Sequence, residues 1–167
     1  ILNNYAEAYF ENKEFEEGLK ILEQVLEIKS TSERAIRNKA NALKLLERWE
    51  LAIEWFGKCS EISDDLLHMS NKGWCYVQLA KEIVDIEIKK QYYADAIKIF
   101  DFVIERDKNN DNAYINKAVI FFELKIYGEC RNNIEQAIGI NPNSSDSWGI
   151  FGDLERAVKN YENALLF

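Results

Sequence analysis

The chain contains a single histidine, His68, so it cannot form a metal site that needs two imidazoles. The HExxH motif of metalloproteases, for example, places two histidines one helical turn apart on the same helix face. A lone histidine that precedes a predicted helix is typical of a solvated or capping side chain. We therefore expect His68 to have no role as a ligand.

Other motifs that carry chemistry are also missing from the sequence. It has no phosphate-binding loop of the GxxxxGK[ST] or GxGxxG type and no GxSxG nucleophile elbow. Neighbouring carboxylates, such as Glu16-Glu17 and Asp64-Asp65, are usual on solvated helix faces and in turns. We predict that the protein is not an enzyme and that it holds no metal and no cofactor.

The chain has three cysteines, an odd number at wide spacing: Cys59, Cys75 and Cys130. This pattern fits neither a disulfide framework nor a CxxC metal site. Free cysteines usually pack as small apolar groups in a core, and we expect that role for all three. The same pattern favours a reducing, cytoplasmic location.

Composition limits the class of partner. The formal net charge of −8 disfavours nonspecific binding to nucleic acid and to anionic membrane surfaces. No apolar run approaches the roughly 20 residues of a membrane-spanning helix, and no secretion leader is found. One proline and seven glycines leave long stretches for helices.

A repeated pattern of small and aromatic residues runs through the chain, most clearly in residues 111–144. Its copies are residues 1–32, 33–65, 66–110 with an insertion of 11 residues, 111–144, and the shortened 145–167. Small residues occupy the eighth and twentieth places: Ala6, Ala40, Gly73, Ala118 and Gly152, then Gly18, Ala52, Ala96, Cys130 and Ala164. Aromatic residues occupy the seventeenth: Phe15, Trp49, Tyr93, Tyr127 and Tyr161.

This pattern resembles the tetratricopeptide repeat, a helix–turn–helix unit of 34 residues. The resemblance covers essentially the whole chain as one domain, residues 1–167. It implies an all-α fold, a right-handed superhelical solenoid of antiparallel helix hairpins. Small residues would let the two helices of a hairpin approach, and the aromatic residue would fill the space between hairpins. Polar clusters at 107–110 and 141–144 predict turns.

The resemblance also implies that the first helices of the units line a concave groove. In the second unit the groove places are cationic and amide-bearing, and in the third and fourth they are mainly apolar. We expect this groove to bind a peptide segment with acidic and apolar side chains. The predicted groove residues are Arg34, Arg37, Asn38, Asn41, Lys44, Asn71, Trp74, Val77, Ile115, Asn116, Val119 and Phe122.

Some members of this family hold the terminal carboxylate of a chaperone tail in a clamp of cationic and asparagine side chains. Arg37, Asn41 and Asn71 match the first three clamp positions. Asn112 and Asn116 stand where the last two positions are cationic, so the resemblance implies only part of the clamp.

The insertion, residues 81–91, contains no glycine or proline and is long enough for about three helical turns. It predicts a lengthened hairpin that projects beyond its neighbours, with Ile83 and Ile86 continuing the apolar stripe begun at Leu79. This projection is a possible second contact surface.

Several alternatives remain open. Large groove residues such as Trp74 and Phe122 could pack against neighbouring helices instead of a ligand. The chain could be the interaction segment of a larger enzyme, a helical-repeat RNA binder or a self-assembling scaffold. It stops midway through a predicted second helix, on residues 164–167, whereas solenoids usually end in a polar cap. That ending predicts a fragment of a longer array or an open end through which copies associate.

Overall fold

The computed structural model describes the backbone of residues 2–165 and the side chains of residues 2–159. The described residues form nine helices and no strand, which confirms the predicted all-α helical array. The helices are α1 (Leu2–Glu11), α2 (Phe15–Ile28), α3 (Glu33–Leu45), α4 (Trp49–Ile62), α5 (Leu66–Glu82), α6 (Ile86–Arg106), α7 (Asp111–Glu123), α8 (Tyr127–Ile140) and α9 (Ser145–Leu165). The predicted second helix of the last unit is wrong, because α9 continues without a break from Ser145 to Leu165. Within the described range, none of these helices is long and apolar enough to cross a membrane.

The chain divides into two compact units, Ile1–Tyr92 and Tyr93–Phe167. In the first unit, α1 pairs with α2 and α3 with α4, and α5 packs on α4. In the second unit, α7 pairs with α8, and α9 packs on both. The predicted turns at 107–110 and 141–144 are confirmed, because α6 ends at Arg106 and α8 at Ile140.

Three hairpins turn through the same backbone conformation. In each, the fifteenth place of the repeat has a positive φ of 57–63° without being glycine: Lys13, Glu47 and Lys125. At Glu47 the backbone N–H donates to the carbonyl of Lys44 (3.1 Å), and the next N–H, of Arg48, donates to that of Leu43 (3.0 Å). This Schellman pattern satisfies carbonyls that the end of the first helix would leave unpaired.

The small residues of the repeat lie where helices approach. Ala6, Ala40, Ala52, Ala96, Ala118 and Cys130 all have no exposed surface. A Cβ atom on Gly18 would overlap the ring of Phe10, so glycine sets the separation of α1 and α2. The three cysteines are free and buried, as predicted.

The same ion pair joins successive hairpins at two places. Lys39 Nζ lies 2.9 Å from Glu23 Oε1, and Lys117 Nζ lies 2.6 Å from Asp101 Oδ1. In both pairs the lysine is the seventh residue of its repeat and follows the carboxylate by 16 positions. Both lysines are largely buried, so each pair contributes more than a pair of fully exposed charges.

The insertion lengthens both helices around it, as expected. The first helix α5 has 17 residues, against 10 and 13 in α1 and α3, and the second helix α6 has 21, against 14 in both α2 and α4. The predicted apolar stripe is wrong, however. Ile83 lies beyond the end of α5, and Ile86 is exposed at the start of α6. The reason is Asp85, whose Oδ1 accepts from the N–H groups of Glu87 (2.9 Å) and Ile88 (3.1 Å) and starts a new helix there.

The expectation that His68 is a solvated or capping side chain is also wrong, whereas its lack of a role as a ligand stays a prediction. His68 lies in the first turn of α5 and is 3% exposed. Its ring stacks on Phe56 of α4 at 6.4 Å, and its Nε2 is 3.8 Å from Asp65. The partner that buries it is 12 residues away in the sequence, on another helix.

Candidate functional site

The cationic residues predicted for the groove lie on α3. Helical spacing places Arg37, Asn41 and Lys44 along one face, at i, i+4 and i+7. The opposite face carries the buried residues Ala35, Ile36, Ala40, Ala42 and Leu43. Burial of this apolar side fixes the rotation of α3 and thereby turns the cationic face outward.

Two of the predicted groove residues bind a carboxylate of the chain itself. Arg34 Nε donates to Glu7 Oε1 at 2.9 Å, and Asn38 Nδ2 donates to the same oxygen at 2.7 Å. The hydrogen bonds from Arg34 and then Asn38 hold the pKa of Glu7 below its ordinary value. Arg34 and Asn38 therefore connect α3 to α1, and Arg34 is not an unpaired cation as the sequence suggested.

Sequence reasoning missed Glu7, although a signal for it was present. It follows the small residue Ala6 directly and so stands at the ninth place of the first unit, one of the groove places. Its carboxylate neutralises part of the cationic surface.

Arg37 and Lys44 remain as the available cations of this face. Arg37 is 42% exposed and lies 4.0 Å from Glu33, at the limit of an ion pair. Lys44 Nζ donates to Asn71 Oδ1 at 2.9 Å and lies 5.9 Å from the centre of the Trp74 ring. The Lys44–Asn71 bond joins a side chain of α3 to one of α5.

The apolar residues predicted on α5 are used mainly in packing. Trp74 meets Trp49 edge to face, with ring centroids 5.4 Å apart. Val77 is 1% exposed, so it is withdrawn as a groove residue because a ligand could not reach it. A residue at a groove place of the repeat can thus be buried in the core, and residue type alone does not distinguish the two cases.

The four residues predicted on α7 belong to the second unit. Ile115 and Phe122 are partly buried against its core, and Phe122 also contacts Tyr127, with ring centroids 6.1 Å apart. Asn116 Nδ2 donates to the carbonyl of Asn112 at 2.8 Å, within the same helix. Val119 is partly exposed. Contact between these four residues and a peptide stays a prediction for the second unit.

A cleft of about 250 Å³ opens between α1 and α3, inside the first unit. The residues around it are Glu7, Phe10, Glu11, Asn38, Asn41, Ala42 and Leu45. Among residues 2–159, no group bonds to the side-chain amide of Asn41. Phe10 and Leu45 occupy groove places of their units, which is the sequence signal for this cleft.

Comparison with known proteins supports a family assignment. The pattern of the tetratricopeptide-repeat family matches residues 1–32 and 111–144. Hsp70-Hsp90 organizing protein 3 of Arabidopsis thaliana is 26% identical over 98% of this chain, and the aligned region covers 34% of that protein. The chain thus spans about a third of the length of the curated relatives it matches.

Solved structures share the fold. MamA (residues 41 to the end) from Desulfovibrio magneticus RS-1 superposes with a TM-score of 0.79 at 13% identity, over 98% of this chain and 87% of that one. The second tetratricopeptide domain of human RPAP3, solved with the HSP70 peptide SGPTIEEVD, gives 0.60 at 16% identity, over 72% and 92%. The family match and the shared fold of these structures support assignment of the chain to the tetratricopeptide-repeat family.

Proposed function

We propose that this chain is a protein-interaction module whose first unit binds an acidic peptide segment on the face formed by α3 and α5. One observation carries the proposal: the Lys44–Asn71 bond joins α3 and α5 beside the half-exposed Arg37 and Asn41, whose amide has no partner among residues 2–159. Two cations and two amides on one face suit a peptide that presents carboxylates and backbone groups. The two cations lie on one face of a chain whose net charge is −8.

The family supports this assignment in general terms, because tetratricopeptide repeats are protein-interaction modules. The peptide in the RPAP3 structure, SGPTIEEVD, carries three acidic and two aliphatic side chains that match the proposed chemistry. At 16% identity that neighbour shares the fold, and the choice of ligand rests on the residues of this chain.

The proposal is binding without catalysis. Around the cleft and the α3 face, the side chains of residues 2–159 are carboxylates, amides, cations and apolar groups. The only carboxylate there with a shifted pKa is Glu7, and it is lowered by its partners rather than raised toward neutral pH. A general acid or base would need the opposite shift.

The test is fluorescence anisotropy with fluorescein-labelled SGPTIEEVD. We expect saturable binding that weakens as salt increases, because the contacts are between charges. Arg37→Met should weaken binding about fivefold to tenfold, the cost of one charged hydrogen bond on a half-exposed surface.

Arg48→Met is the matched control. Arg48 is 43% exposed, against 42% for Arg37, and it also has a carboxylate neighbour, Glu16. It precedes α4 and lies away from the α3 face. Absence of saturable binding to the unmodified chain, or an equal loss in both variants, would contradict the proposed function.

A further inference from the structure

The cleft between α1 and α3 lies beside the cations of the proposed peptide site, and we infer that it receives an aliphatic side chain of the bound peptide. This inference rests on the proposed function and names the second half of the ligand. The peptide would carry a branched apolar residue two positions from an acidic one.

The cleft has the size and the walls for such a group. Its volume of about 250 Å³ exceeds the roughly 150 Å³ of an engineered apolar cavity that holds benzene. Phe10, Ala42 and Leu45 supply its apolar surface. Leu45 is 61% exposed, so it has apolar surface that a ligand can cover.

Two carboxylates line the cleft, Glu7 and Glu11, and Glu7 is not available to bind a cation. Glu7 Oε1 already accepts from both Arg34 Nε and Asn38 Nδ2, and Arg34 Nη2 also donates to Oε2. The charge of Glu7 is thus balanced within the chain, and these hydrogen bonds hold its carboxylate against α3. The other polar groups of the wall are Glu11 and Asn41, and the amide of Asn41 can bond a peptide backbone.

The spacing along α3 sets the spacing in the ligand. Asn41 lines the cleft, and Arg37 lies four residues earlier, about 6 Å along the helix axis. Two residues of an extended peptide also span roughly 6.6 Å and place their side chains on the same side. Lys44, next to Leu45, provides a cation on the other side of Asn41. A peptide with an apolar residue and carboxylates two positions before and after it therefore fits this site in either direction of the peptide chain.

The experiment uses the labelled peptide GSESLSESG, in which leucine is flanked by glutamates two residues away on each side. We expect Leu45→Ala in the protein and leucine→alanine in the peptide each to weaken binding about tenfold. Because both changes remove the same contact, combining them should cost little more than either alone. Leu51→Ala is the control, since Leu51 is 46% exposed on α4 and does not line the cleft.

Other outcomes overturn the inference in separate ways. If the effects of Leu45→Ala and of the alanine peptide multiply, the leucine does not lie against Leu45. If a peptide with lysine in place of leucine binds more tightly, the cleft selects a cation. If Arg37→Met and glutamate→glutamine peptides lose affinity while Leu45→Ala does not, the cleft contact is refuted and the proposed function stands. If no peptide binds the unmodified chain, both are refuted.

Discussion

The aromatic residue at the seventeenth place of the second unit fixes the end of a lengthened helix. Trp49 is buried at the start of α4, and its Nε1 donates to Oε1 of Glu82, the last residue of α5, at 2.6 Å. Trp49→Phe keeps an aromatic ring against Trp74 but removes this donor. A hydrogen bond to a charged group contributes about 1.5–3 kcal/mol, and because Glu82 is exposed and can be rehydrated, the lower end applies. With the smaller ring, we expect a loss of about 2 kcal/mol in the free energy of unfolding.

The assay is urea unfolding followed by circular dichroism on four proteins: the unmodified chain, Trp49→Phe, Glu82→Gln and the double variant. The bond predicts a coupling energy of about 1 kcal/mol between the two substitutions. Glu50→Gln serves as the control, because it removes another exposed carboxylate from the same unit. A coupling energy below about 0.3 kcal/mol would show that the bond does not contribute and would refute the reasoning.

Two further predictions follow from groups whose pKa is shifted. The partners of Glu7 lower its pKa below 4.5, so the stability it confers is present above that pH and is lost as pH falls through the lowered pKa. Glu7→Gln should therefore lower the Tm near neutral pH, and the difference from the unmodified chain should shrink below pH 4.5; a constant difference across that range would contradict the assignment. Burial raises the pKa of all three thiols: Cys59 to about 11, Cys75 to about 12 and Cys130 to about 11. We therefore expect negligible reaction with Ellman's reagent in the folded chain at about pH 8 and full reaction in urea. A thiol that reacts rapidly in the folded chain would contradict this prediction.

The fold was largely predictable because its signals are local and repeated. Small residues recur at the eighth and twentieth places, and polar clusters separate the helices at 107–110 and 141–144. The conformation of the hairpin turns was not predictable from residue type, since Lys13, Glu47 and Lys125 adopt a positive φ without being glycine. There the helix termini on either side, rather than the residue, determine the backbone.

The candidate site was less predictable because its contacts join distant parts of the chain. Glu7 and Arg34 are 27 residues apart, and the pair changes a cationic surface into a partly neutral one. Val77 has the residue type of a ligand contact, but the surrounding side chains bury it. The sequence indicated which helix face carries the cations, while their pairing required the structure. Binding by Arg37, Asn41 and Lys44 stays a prediction, and association through Phe167 concerns a residue outside the described range.

The ion pairs between hairpins bear on how such an array can grow. Lys39–Glu23 and Lys117–Asp101 join successive hairpins in the same register. The hairpin in residues 111–144 carries both kinds of group, with Lys117 at the lysine place and Glu135 at the place that Glu23 and Asp101 occupy in their own units. A tandem duplication of the hairpin would bring both halves of the contact with it. The new copy would then dock on its parent without any further substitution, so the length of the array can change by whole hairpins while the junctions keep their chemistry.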